Sequence, residues 1–369
     1  MVKNIYIKEK QLNLDKKDRQ ILYELDLDAR QPASRVAKKV GLSPEGVNYR
    51  IKKLAGSGVI FKFMTIMDTA KLGYTTYKVF FRFQNTTIEI EEEIIRYLTE
   101  HKYIQYVSTS EGMFDLNINF MARSAEELDT ILSELNARYG QYFAECDLNI
   151  MVKTHFFCRD YLVAENRASG LRKPVYSGSN PDTVELDGED EKILAILAKN
   201  ARVSLANIAG RIGMSPDAVG ARIKKLEVAG IIQNYILFLN PEQMGYSFYT
   251  ILLRFRNLDA ENEGKFFQFC RQNPNIWFYT KLLGPWNAAV NLDIAEHNTL
   301  KEIVMIIKRE FSDILSGYSI MLSVKRDKFD QYPMGAQGLP FASKKRAFSL
   351  GLLFPRKRTP GKKKGRENV

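Results

Sequence analysis

The chain repeats itself, and the repeat limits what it can fold into. Gly41-Leu42-Ser43-Pro44-Glu45-Gly46-Val47-Asn48-Tyr49-Arg50-Ile51-Lys52-Lys53-Leu54 returns as Gly213-Met214-Ser215-Pro216-Asp217-Ala218-Val219-Gly220-Ala221-Arg222-Ile223-Lys224-Lys225-Leu226, at an offset of 172 (213 minus 41). The offset runs on without a gap. Leu14, Asp15 and Asp18 correspond to Leu186, Asp187 and Asp190, Ala29-Arg30 to Ala201-Arg202, Gly112 to Gly284, and Val152-Lys153 to Val324-Lys325. So long a period rules out a solenoid. It describes a two-domain unit duplicated within one chain.

Each copy of the motif reads as a tight turn feeding a short helix. Gly41 suits a left-handed turn position, Ser43 an N-cap, and Pro44 the first helical position. Val47, Ile51 and Leu54 fall at i, i+4 and i+7, which buries one face and frees the other. Tyr49 lies at the centre of the free face, with Glu45, Asn48, Lys52 and Lys53 around it. A DNA-reading helix needs such a face, because side chains must reach base edges while cations neutralise phosphates. Arg50 and Arg222 lie beside the buried stripe, where an arginine either bonds a helix end or reaches a phosphate. The candidate DNA-contacting residues are therefore Ser43, Glu45, Asn48, Tyr49, Arg50, Lys52 and Lys53, with Ser215, Arg222, Lys224 and Lys225 in the second copy.

Leu14-Asp15-Lys16-Lys17-Asp18 opens an earlier helix, with Asp15 as N-cap and Asp18 in a capping-box position; a second helix covers about 33–40. After the reading helix, Gly58-Val59-Ile60 leads into an alternating extended stretch expected to form a wing. Three short helices and a hairpin make a winged helix-turn-helix, over 14–66 and again over 186–238. From about Thr75 the apolar period changes from 3.6 to 2. Strand, helix, a hairpin turning near Gly112, helix and strand then follow in the order β-α-β-β-α-β. This is a ferredoxin-like domain over 67–157 and 239–330, in a chain of α+β class. Its helices cover one sheet face, so the bare faces of two sheets are expected to pack together.

Residues 158–185, with Gly170, Pro174, Ser177-Gly178-Ser179 and Pro181, read as a linker. Residues 331–369 read as a basic disordered tail, which either holds DNA without reading it, serves as a solubilising end, or docks its Phe-Leu piece on a partner or an anionic membrane surface. The formal charge is +11, but ten Lys or Arg against Glu367 place about +9 of it from Phe341 onward. DNA binding by the folded body must therefore rest on the helices, which carry about +4 over 14–60 and about +1 over 186–232. A content of 45% hydrophobic and 26% charged residues is that of a soluble globular chain. No apolar run approaches the roughly 18 residues that span a bilayer, and the first residues do not read as a signal peptide. Cys146, Cys158 and Cys270 form no CxxC pair, which argues against a disulfide framework or zinc and for a reducing cytoplasm. His101, His155 and His297 show no metal spacing. No metal, cofactor or catalytic residue is expected.

Several short motifs occur together: LDxxDxxIL at Leu14 to Leu22 and at Leu186 to Leu194, then Ala-Arg, GLSP or GMSP, V-x-x-R-I-K-K-L and Gly-(Val/Ile)-Ile. With Gly112-Met113-Phe114-Asp115 they resemble the Lrp/AsnC family, the leucine-responsive or feast/famine regulators, over roughly 14–157 and 186–329. The resemblance implies a winged helix-turn-helix joined to a ferredoxin-like regulatory domain, often called RAM. In the family that domain pairs through its sheets and often binds amino acids or related small molecules between subunits. The implied partners are double-stranded DNA, an amino-acid-like effector and the other half of the same chain, which looks like a covalently tied dimer open to further homo-oligomerisation. Gly112 and Asp115 most simply make a hairpin turn capped by Asp115; the effector site is their alternative role.

Two departures bear on function. The second reading helix has Gly220 and Ala221 where the first has Asn48 and Tyr49, and Gly284-Pro285-Trp286-Asn287 replaces Gly112-Met113-Phe114-Asp115. One strong and one weaker half-site are therefore expected. The sirohaem decarboxylases resemble the same family in fold and pair two such units. Their first sheet strand, however, is polar near the tetrapyrrole, whereas Tyr74 to Phe83 and Tyr246 to Phe255 are apolar-aromatic without Trp, His or Asn. A ligand-sensing adaptor whose helices touch proteins is a third class.

Overall fold

Every α-helix and β-strand from Lys16 to Phe156 returns 172 residues later in the computed structural model, which describes residues 12–163, 175–177 and 182–333. Most of the 158–185 stretch and the basic end from Met334 onward lie outside these residues. The tail begins later than expected, because Gln331, which accepts from Gln105 Nε2, and Tyr332 are buried in the folded body. The first half runs α1 (Lys16–Leu27), α2 (Ala33–Val40), α3 (Pro44–Gly56), β1 (Ile60–Met67), β2 (Thr75–Phe83), α4 (Ile88–Glu100), β3 (Ile104–Gly112), β4 (Leu116–Ala122), α5 (Ala125–Tyr139) and β5 (Phe143–Phe156). A short β6 (Val175–Ser177) precedes the second half. That half runs α6 (Gly188–Lys199), α7 (Leu205–Ile212), α8 (Pro216–Val228), β7 (Ile232–Leu239), β8 (Ser247–Phe255), α9 (Ala260–Gln272), β9 (Ile276–Leu283), β10 (Ala288–Ile294), α10 (His297–Glu310) and β11 (Leu315–Phe329).

The stretch after α3 does not fold back into the expected wing hairpin. Asp68 accepts from Ala70 N–H and caps a 3-10 turn, Thr69–Leu72, that carries the chain on to β2, so no returning strand is left to pair with β1. β1 instead pairs antiparallel with β7, its own copy, from Ile60 opposite Leu239 to Met67 opposite Ile232. The ribbon is apolar on both faces and is buried between two layers. Met64, Ile66, Ile236 and Phe238 pack on Phe156, Phe248 and Trp277 below. Leu237 and Leu239 join the core of α1, α2 and α3 above. Across the ribbon, Thr65 Oγ1 donates to the Leu197 carbonyl at the end of α6 (2.8 Å). Each helical bundle thus closes on the other half's strand.

Below the ribbon, the sheets join at their edges as well as face to face. β5 pairs with β2 through its first half and with β9 from Ile150 to Phe156. β11 likewise pairs with β8, then with β3 from Met321 to Phe329. The ring β2-β4-β3-β11-β8-β10-β9-β5 closes on itself through the β2–β5 pairing, so these eight strands present no open edge. Strand alternation sorts the side chains. Tyr77, Val79 and Phe81 pack outward on Ile94 and Leu98 of α4 and on Ile131 of α5, while Phe80 points inward to Leu252 and Met321. Gly112 (φ +128°) and Gly284 (φ +153°) sit where strands cross closely: a Cβ would stand 2.6 Å from the Ile320 carbonyl oxygen or 2.7 Å from that of Leu148.

The linker begins later than expected. Cys158, Arg159, Asp160 and Leu162 are buried. Arg159 bonds Asp26 Oδ1 of α1 at 2.8 Å and Asp293 Oδ2 of β10 at 3.1 Å, donates to the Leu237 carbonyl, and lies 4.1 Å from the centre of the Trp277 ring. Tyr161 donates to the same Asp293 oxygen (2.7 Å). A charge this deep persists only when paired, and the pairing here fastens the first helical bundle to the second half's sheet.

Candidate nucleic-acid interface

The turn before each reading helix is built as its residue types demand. Gly41 (φ +67°) and Gly213 (φ +74°) end α2 and α7 in the left-handed region. Ser43 Oγ accepts from Gly46 N–H (3.1 Å) and Ser215 Oγ from Ala218 N–H (3.2 Å), so both serines are helix caps. Val47, Ile51 and Leu54 are buried in α3, as are Val219, Ile223 and Leu226 in α8.

The opposite face of α3 is open. Tyr49 is 68% exposed, and Glu45, Asn48, Lys52 and Lys53 are exposed around it. On α8, Lys224 and Lys225 are exposed, with Lys225 Nζ 3.5 Å from Asp190; half-buried Gly220 and exposed Ala221 stand where α3 carries its amide and phenol. One helix thus presents shape and hydrogen-bonding groups together with charge, and the other presents charge.

The structure gives Arg50 and Arg222 a helix end to bind. Arg50 Nη1 lies 2.7 Å from Asp15 Oδ2 and 2.7 Å from Asp18 Oδ1; Arg222 Nη1 lies 2.6 Å from Asp187 Oδ2 and 2.8 Å from Asp190 Oδ1. Asp15 and Asp187 are also the N-caps of α1 and α6. Each guanidinium therefore ties the middle of a reading helix to the start of the first helix in its bundle, setting the angle at which it leaves the body. The hydrogen bond from Arg50 holds the Asp15 carboxyl below its ordinary pKa, and Arg222 does the same for Asp187.

Gly112 and Asp115 belong to the barrel. Asp115 does not cap its own hairpin: its Oδ2 accepts from Phe83 N–H at the end of β2 (2.7 Å), and Asn287 Oδ1 accepts from Phe255 N–H at the end of β8 at the same distance, so the change from carboxylate to amide leaves this strand-end bond in place.

The Ala-Arg pair that marks the repeat in each half proves to bracket the two bundles. Arg30 Nη1 donates to the carbonyls of Ala201 and Val203, and Arg202 Nη1 to those of Ala29 and Gln31. Ala29 N–H bonds the Tyr235 carbonyl of β7, and Ala201 N–H bonds the Phe63 carbonyl of β1. The exchange is reciprocal and holds the bundles in fixed relation. Its only signal in the sequence is the recurrence of Ala-Arg at the repeat offset; nothing local names the partners.

Comparison with known proteins agrees with this geometry. The AsnC-type helix-turn-helix domain matches residues 14–55 and 186–227. The HTH-type transcriptional regulator LrpA of Pyrococcus horikoshii is 46% identical over 66 residues, 18% of this chain and 47% of its own length, so the chain spans about half of that relative. The uncharacterised HTH-type transcriptional regulator PH1916 of the same organism is 32% identical over 120 residues, 32% of this chain and 80% of its own. Among solved structures, the sirohaem decarboxylase NirDL superposes with a TM-score of 0.55 at 15% identity, covering 86% of this chain and 96% of that one, a likeness of fold. With both helix-turn-helix motifs matched and a relative aligned over most of its length, the chain belongs to the Lrp/AsnC family of HTH-type transcriptional regulators, carrying the family's unit twice.

Proposed function

We propose that the protein is a sequence-specific, DNA-binding transcription regulator of the cytoplasm, acting as a single-chain pseudo-dimer with two unequal reading helices. The observation that carries this reading is the exposed face of α3, where Asn48 and Tyr49 stand among lysines on a helix anchored by Arg50. In this reading Asn48 and Tyr49 meet base edges in the major groove, with Glu45 beside them, while Lys52, Lys53, Lys224 and Lys225 meet phosphates. Ser43, Ser215, Arg50 and Arg222 act by positioning. The basic tail would add salt-dependent phosphate contacts.

Selection of bound fragments from random DNA, followed by footprinting, tests the proposal. One well-defined half-site beside a loosely defined one is the expected result; two equally strong, symmetric half-sites would refute the asymmetry. Modulation by an amino-acid-like effector belongs to the same reading and has the resemblance around Gly112 and Asp115 behind it. A screen of amino acids against operator affinity tests that part. An enzymatic reading has the fold likeness to NirDL alone in its favour, and incubation with sirohaem, followed by analysis for decarboxylated product, checks it.

A further inference from the structure

The interior of the eight-stranded ring changes character along its length. At one end Phe80, Phe114, Leu252, Leu282, Trp286 and Met321 pack together. Towards the β1–β7 ribbon, inward positions become polar, and Lys78 enters from β2 with no carboxylate paired to it among the described residues. Its ammonium is buried. It meets Asn119 Oδ1 at 3.3 Å and lies 5.4 and 5.6 Å from the ring centres of Phe80 and Tyr106. Burial lowers its pKa to about 7.

Beside Lys78 is a cavity of about 30 Å³, lined also by Asn117, Trp277, Asn291 and Phe238 of the ribbon. That exceeds the roughly 10–15 Å³ needed by one water. Three buried atoms of its wall residues have no hydrogen-bond partner among the described residues: Asn117 Oδ1, Asn291 Oδ1 and Trp277 Nε1. Asn291 is oriented by its own amide, which donates to Thr250 Oγ1 (2.7 Å), so its carbonyl oxygen remains an acceptor. Native interiors rarely leave such groups unused. Water could serve the amides and the indole, but it would bring no countercharge to Lys78 in its charged form, which a pKa of about 7 leaves well populated at neutral pH.

The requirement has a definite sign. An ammonium and an indole N–H ask for an anionic acceptor, and two amide oxygens ask for a donor. We propose that this cavity binds a small oxyanion that carries its own hydroxyl, of the hydrogencarbonate type. Its oxygens accept from Lys78 and Trp277, and its hydroxyl donates to Asn117 or Asn291. Lys78, Asn117 and Trp277 correspond to Thr250, Ala289 and Gln105 at the repeat offset, so the site occurs once per chain. It stands independently of the DNA-binding reading.

The test is thermal unfolding of the full chain in sodium hydrogencarbonate buffered to about neutral pH, where Lys78 keeps a charged fraction, against sodium chloride of equal ionic strength and pH. A saturable rise in midpoint of roughly 3–6 °C over chloride is expected, and Lys78→Met should abolish it. Asn119→Asp places a carboxylate beside the ammonium, so it should raise the midpoint without the anion and remove the response. The proposal is overturned if hydrogencarbonate does no more than chloride, or if Lys78→Met keeps the rise. Should Lys78→Met fail to fold, retention of the full response by Asn119→Asp overturns it.

Discussion

The helices α3 and α8 share every feature that points into the protein and differ in what they turn outward. Both begin on a serine cap, bury a matching trio of apolar residues and anchor an arginine on two aspartates of the bundle's first helix. Outward, Asn48 and Tyr49 of one stand against Gly220 and Ala221 of the other. The inward features must match because both bundles close on the same ribbon. The outward positions carry no such constraint. The barrel shows a similar division: Asp115 and Asn287 hold the same bond to a strand end, while Lys78 answers to Thr250, Arg159 to Gln331 and Asp26 to Ala198. A symmetric frame thus carries unequal contents, and an observed difference between halves points to contents.

The sharpest way to break this comparison is at Arg159. Arg159→Met strands Asp26 and Asp293 in the interior and should cost roughly 3–5 kcal/mol in denaturant unfolding, whereas Gln331→Ala removes one neutral hydrogen bond to Gln105 and should cost about 1 kcal/mol. Equal costs would mean that the buried pair does not distinguish the halves. Next in size is the reading face. Asn48→Ala with Tyr49→Ala should weaken binding to a selected site by roughly 1–3 kcal/mol for each bidentate pairing with a base that it abolishes, and should relax sequence preference there. The reciprocal graft, Gly220→Asn with Ala221→Tyr, should sharpen the weaker half-site in repeated selection; no change in either would remove the assigned face.

The bracket probes the symmetric frame itself. Arg30→Ala and Arg202→Ala should each cost about 1–2 kcal/mol and by similar amounts, since each arginine serves two carbonyls across the junction; unequal costs in unfolding experiments would show that the frame, too, is asymmetric. The smallest effect is a gain. Gly220→Ala should stabilise by roughly 0.5–1 kcal/mol, because the new Cβ would meet Leu205 at an ordinary 3.4 Å and a helical glycine is relieved.

What can be read from the chain alone is local. The caps at Asp15 and Ser43, the buried trio of α3 and the alternation of β2 each arise within a few residues, where spacing dictates direction. The expected wing fails because strand alternation says which faces are buried and never which strand is the partner. Arg50 is undecided in sequence between a helix end and a phosphate because its aspartates lie 32 and 35 residues away. Arg159 reads as linker because Asp26 and Asp293 stand 133 and 134 residues distant.

The duplication, the two helix-turn-helix motifs, the two ferredoxin-like units and the difference between the outward residues of α3 and α8 were therefore settled by sequence, since each depends on neighbours or on the chain's likeness to itself. Only the tertiary structure decided that β1 pairs with β7, that the sheets close into a ring, that Arg30 and Arg202 clasp the opposite half, and that Lys78 stands inside without a carboxylate. These are choices among partners far apart in the chain. They are made by which edges and charges remain unsatisfied once the local pieces have formed.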